Sequence, residues 1–93
     1  MGAFGRQILF LRQRQGMTVR ALAEAVGKTP GYLSRIESRD EVPAPDLICV
    51  LSDVLSAEAQ MLLDLAKKDL LERTEQQIQR KNSQALNLYR RSL

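Results

Sequence analysis

Apolar residues recur along this chain at the spacing of helices, and strand-like alternation is absent. The clearest stretch covers residues 17–37, MTVRALAEAVGKTPGYLSRIE. Leu22, Ala23 and Val26 share one helical face, and Leu33 with Ile36 forms a second apolar stripe further on. Thr18 stands just before the first run, where its hydroxyl suits an otherwise orphaned backbone N–H. Gly27 closes that run, at a position that often takes positive φ. Thr29 is a second N-cap candidate, and Pro30 follows where its missing N–H is not needed. The pattern predicts helix, tight turn, helix, with Lys28, Gly31, Tyr32, Arg35 and Arg39 facing outward. Ala23 supplies a small side chain where two steeply crossing helices would touch. On geometry alone, this is either a plain helical hairpin or a pair built to enter a DNA groove.

A further helix is predicted from Pro45 or Asp46 to about Leu55 and Ser56, with the proline and the acid suited to its start. From Asp46 onward the sequence has neither glycine nor proline. Good helix formers dominate there, which predicts one long helix, or two nearly collinear ones joined near residues 67–69. Met61, Leu62, Leu65 and Ala66 would dock on the N-terminal head. Leu71, Thr74, Ile78, Ala85, Leu88 and Tyr89 then form a narrow stripe, interrupted by polar residues. It suits a seam with a second copy; the alternatives are a seam for a different protein or a partly disordered tail. Ile8, Leu11, Met17, Leu22, Ala23, Val26, Leu33, Ile36, Leu47, Leu51, Val54 and Leu55 are the predicted core.

The 93 residues allow one small domain, or one domain with an appendage. Cys49 is the lone cysteine and excludes an internal disulfide; it is expected as a small, partly buried residue. With no histidine, a zinc site is effectively excluded. No paired carboxylates or phosphate-cradling glycine loop accompany that lack, so no enzyme, metal or cofactor is predicted. Arg6 occupies the position where a myristoylation signal prefers serine or threonine. Neither a signal peptide nor a membrane span is visible, so a cytoplasmic, nucleoid-associated protein is expected. The net charge of +3 is unevenly placed. A basic head is followed by an acidic middle and a basic tail, and the head suits phosphate attraction.

The flanks of the central stretch carry a resemblance. Gly5, Ile8 and Arg12 precede it, Gly16, Met17 and Thr18 open it, and Tyr32, Leu33, Ser34, Arg35, Ile36 and Glu37 close it. Pro43 and the ladder Leu47, Leu51, Leu55 follow. In this order the residues resemble the Cro/cI-type (XRE) helix-turn-helix family of DNA-binding regulators, from residue 4 or 5 to about 56. The resemblance implies an all-α, five-helix, lambda-repressor-like DNA-binding domain over residues 4–60. The helix-turn-helix itself lies at about 18–38, and residues 61–93 form a long C-terminal helical extension. Two positions depart from the pattern. Arg39 stands where the family usually has glycine, so either Arg39 is strained or the turn is rearranged. Val19 replaces a common glutamine phosphate anchor, leaving that contact to Thr18 and Arg20.

The resemblance further implies double-stranded DNA as partner, with the third helix in the major groove. Lys28, Thr29, Gly31, Tyr32, Ser34 and Arg35 are the candidate base-facing residues. Arg35 is suited to guanine O6 and N7. Tyr32 either meets a thymine methyl or phosphate, or packs as a surface tyrosine. Arg14, Thr18, Arg20 and Arg39 are candidate phosphate contacts. Arg12 and Glu37 match a structural ion pair between the first and third helices. A homodimeric repressor on a palindromic operator is expected. The alternative is a protein-interaction module, such as an antitoxin or an adaptor for polymerase or sigma, working through its C-terminal helix.

Overall fold

In a computed structural model, residues 2–93 are described. Among them are six helices and no strand: α1 (Ala3–Arg14), α2 (Val19–Val26), α3 (Pro30–Ser38), α4 (Pro45–Val54), α5 (Ala59–Lys81) and α6 (Ser83–Arg91). Helix ends in the head follow local signals. Thr18 Oγ1 accepts from Ala21 N at 3.0 Å, and Thr29 Oγ1 accepts from Tyr32 N at 3.2 Å. Gly27 takes φ +73°, the left-handed conformation that ends α2.

The apolar faces meet in one core. α1 packs on α3 and α5, α2 on α3 and α4, and α4 on α5. Ile8, Leu22, Leu33, Ile36, Leu51, Leu55 and Leu62 are fully buried there. Each such side chain contributes about 1.5–3 kcal/mol through removal from water. Two expected members, Met17 and Val54, are only half-buried and pack against the core's edge, whereas Phe4 and Ile48 are buried. Ile48 widens the face of α4 beyond the predicted ladder. Leu62 and Ala66 dock in the core, so the first half of α5 belongs to the head.

α1 is capped from a distance. Gly2 stands at its N-cap and has no side chain to offer. Asp69 of α5 takes the role, accepting from Ala3 N at 3.1 Å and from Phe4 N at 2.9 Å. One turn on, Gly5 lets α1 lie directly on α3: a Cβ there would stand 2.3 Å from the Ile36 carbonyl oxygen.

The turn after α3 is rearranged. Arg39 takes an ordinary φ of −120°, and Asp40 instead carries the positive φ, 59°. Aspartate tolerates this region better than most residues. Cys49, expected partly buried, is exposed.

The C-terminal helices are not collinear. α5 runs unbroken through residues 67–69, and the break falls at Asn82, which is extended at φ −167° and ψ 111°. Asn82 Oδ1 accepts from Gln84 N at 2.9 Å and Ala85 N at 3.3 Å, capping α6. An asparagine that caps the following helix ends the preceding one without glycine or proline. α6 folds back along α5, burying Leu86 and setting Arg90 Nη2 3.4 Å from Glu75 Oε2. The stripe residues therefore do not lie along a straight rod. Leu71, Thr74, Ile78, Ala85 and Tyr89 are half-buried, and Leu88 is 58% exposed.

Replacing Asp69 with alanine strips the start of α1 of its acceptor and leaves the buried Phe4 N–H unpaired. It is expected to lower unfolding free energy by about 2 kcal/mol in a urea titration. Unchanged stability would show that the distant cap contributes nothing.

Candidate nucleic-acid interface

The turn between α2 and α3 is fixed by backbone bonds. Lys28 N donates to Ala23 O at 2.9 Å, and Gly27 N donates to Glu24 O at 3.2 Å. This closure, with Thr29 capping the next turn, aims the start of α3 outward. Lys28, Thr29, Gly31, Ser34 and Arg35 are exposed, and Tyr32 is half-buried against the core's edge. A Cβ added at Gly31 would meet nothing within 4 Å, so this part of the helix is open to close approach.

Tyr32 organises the cations on this face. Lys28 Nζ lies 6.0 Å from its ring centroid, and Arg35 Cζ lies 5.4 Å from it. Burial pushes the Tyr32 phenol above its ordinary pKa. The charges of Glu41 and Asp46 add to that effect, and Arg35 partly opposes it. The hydroxyl thus stays protonated at neutral pH and can donate to a base or phosphate. Arg35 also meets Glu41, Nε to Oε1 at 3.1 Å.

Of the other sequence-predicted residues, Thr18, Arg20 and Arg39 are exposed around the helix pair. Arg14 is also exposed and lies over the Phe10 ring of its own helix, 5.5 Å from the centroid. Thr18 keeps its hydroxyl hydrogen for another partner while its oxygen caps α2.

Arg12 and Glu37 lie beneath this surface. Arg12 Nε reaches Glu37 Oε2 at 2.8 Å, and Nη2 reaches Oε1 at 3.0 Å. Nη1 donates to the Met17 carbonyl at 2.8 Å. One guanidinium thus ties α1 to α3 and to the segment leading into α2. The Glu37 hydrogen bond raises the Arg12 pKa above its ordinary value; burial partly offsets this, and the charge of Glu37 adds to it. A raised folded-state value means stability that is fully present below the unfolded value and lost only as pH climbs through the folded one. Arg12 therefore stays charged throughout the working pH range.

Asp40, Glu41, Asp69 and Arg73 lie outside the set of site residues that the sequence predicts. Gly2 N donates to the Asp40 carboxylate, and Arg73 Nη2 donates to the Asp40 carbonyl. These contacts span α1, the α3–α4 turn and α5. No local pattern joins residues so far apart in sequence.

The profile of the helix-turn-helix domain family matches residues 3–65, from α1 into α5. The chain belongs to that helix-turn-helix domain family. Two crystal structures of the clp gene regulator ClgR from Corynebacterium glutamicum are similar to this helix-turn-helix protein. One is 36% identical, with 71% of this chain and 86% of that chain covered, at a TM-score of 0.58. The other is 29% identical, with 84% of each chain covered, at 0.62. Curated proteins give no match. The all-α fold is that of a helix-turn-helix DNA-binding regulator, and the Cro/cI-type resemblance is consistent with it. Among the described residues, no helix is long and apolar enough to cross a membrane, and no group of three or more His, Cys, Asp or Glu could hold a metal ion.

Replacing Arg12 with methionine strands the buried Glu37 carboxylate, which has 7% side-chain exposure. The loss is expected to be about 3–5 kcal/mol by chemical denaturation. Pairing it with Glu37→Leu should restore part of that loss. A double variant as unstable as the sum of the two single ones would contradict a coupled pair.

Proposed function

We propose that this chain regulates transcription by reading double-stranded DNA with α3 in the major groove. The observation that carries this is the cluster of exposed Lys28 and Arg35 around the half-buried Tyr32 ring at the start of α3, beside a turn locked by Gly27 and Thr29. A planar guanidinium and an aromatic ring side by side supply what readout of base edges needs. Arg35 pairs with guanine, and Tyr32 meets a thymine methyl or a phosphate. Gly31 admits close backbone approach, with Lys28, Thr29 and Ser34 around it. Arg14, Thr18, Arg20 and Arg39 hold phosphates and set the register.

One head covers only a few base pairs, so two copies related by a two-fold axis would read half-sites about one helical turn apart on a palindromic operator. The α5–α6 hairpin is the proposed dimer element, and its exposed Leu70 and Leu88 offer apolar area for a second copy. A regulator this small acts most simply by occupying its operator, which represses when the operator overlaps a promoter. It would do so in the cytoplasm, on nucleoid DNA. The similarity to a clp gene regulator makes clp promoters the first place to look for the operator.

Selection of bound duplexes from a random library is expected to enrich a palindrome. Arg35→Ala should abolish the preference at one symmetric position, costing about 1–3 kcal/mol there, with melting temperature unchanged. A uniform loss on all duplexes would make Arg35 a phosphate contact. Truncation after Gln77 removes α6 but spares Arg73, and should halve the mass seen by light scattering. An unchanged mass would exclude α6 from the seam.

A further inference from the structure

We infer that Glu41 is a positioning residue for the Arg35 fork and sets how strongly the protein prefers guanine where Arg35 lands. This rests on the proposed major-groove role of α3. Arginine carries five N–H donors in one plane. Glu41 Oε1 takes the Nε donor at 3.1 Å, and the Tyr32 ring lies against the guanidinium with its centroid 5.4 Å from Cζ. One contact fixes the Nε edge of the plane, and the other holds the cation over the ring. The end carrying Nη1 and Nη2 is left to meet guanine O6 and N7.

The backbone delivers Glu41 to this position. Glu41 N donates to the Arg35 carbonyl at 3.3 Å, alongside Arg39 N at 2.9 Å. The left-handed Asp40 turns the chain back to make this possible, and Gly2 and Arg73 grip Asp40 from α1 and α5. The carboxylate is thus anchored to the very residue whose side chain it bonds.

The ion pair is exposed, at 49% and 38%, so it adds little to folding stability. Its effect is on orientation. An arginine already ordered loses less freedom on binding, so the correct base gains relative to the wrong one. A carboxylate at the edge of the groove also repels phosphates of any sequence, which lowers random binding and widens the difference.

The test compares a duplex enriched from a random library with the same duplex carrying adenine at the guanine that Arg35→Ala ceases to prefer. Glu41→Ala is expected to lower the guanine preference about fivefold and to tighten binding to random duplex. Glu41→Gln keeps an oxygen that accepts from Nε; it should retain most of the preference while showing the same gain on random DNA. Both variants should melt like wild type. An unchanged preference in Glu41→Ala overturns the inference, leaving Glu41 as a mere charge. A raised preference overturns it too, because the carboxylate would then sequester Arg35. Two further outcomes end it differently. A wild type without any preferred duplex removes the major-groove role itself, and an Arg35→Ala variant that loses preference at no position removes only Arg35 as the reader.

Discussion

The Arg12 guanidinium holds the helix-turn-helix head together. Its three bonded nitrogens reach both oxygens of Glu37 and the carbonyl of Met17. α3 can aim its exposed face only if its far end is braced and the segment entering α2 is fixed, and the same side chain does both. Because both partners are nearly buried, the pair depends on completeness: each charge is tolerable only while the other is present. The apolar core supplies most of the stabilisation, and the ion pair fixes the relative placement of α1 and α3 within it.

Around that brace, polar contacts are ordered by depth. Deepest is Arg12 with Glu37. At the helix starts, Thr18 and Thr29 satisfy N–H groups that would otherwise be orphaned. Outermost, Tyr32 collects Lys28 and Arg35, and Glu41 closes on Arg35 from the next turn. Polar contacts thus run without a break from the buried brace to the exposed face of α3.

The residues differ in how legible they are. Caps and the left-handed stop are local, so Thr18, Gly27, Thr29 and Pro30 mark the ends of α2 and α3 from sequence alone. Most of the inward faces of α1 to α4 are also plain, because helical spacing largely decides burial, though Phe4 and Ile48 fall outside the predicted set and Val54 is only half-buried. Asp69 is illegible: capping rules reach only a few residues, and its partners lie 65 and 66 positions away. The Asn82 break is hidden because glycine and proline are the usual stops, whereas this asparagine ends one helix by capping the next. At the α3–α4 turn, the missing glycine marks the right neighbourhood, but the positive φ falls one residue later, on aspartate. Glu41 carries no signal at all, since its meeting with Arg35 depends on that shift.

The distant cap on α1 has a consequence for biosynthesis. A ribosome delivers Ala3 and Phe4 long before Asp69, so the first helix emerges without the acceptor that secures its start. Leu62 and Ala66, which complete the core, also arrive late. The head is thus finished only by residues translated well after α3, and a nascent chain stalled short of them would expose an unfinished surface.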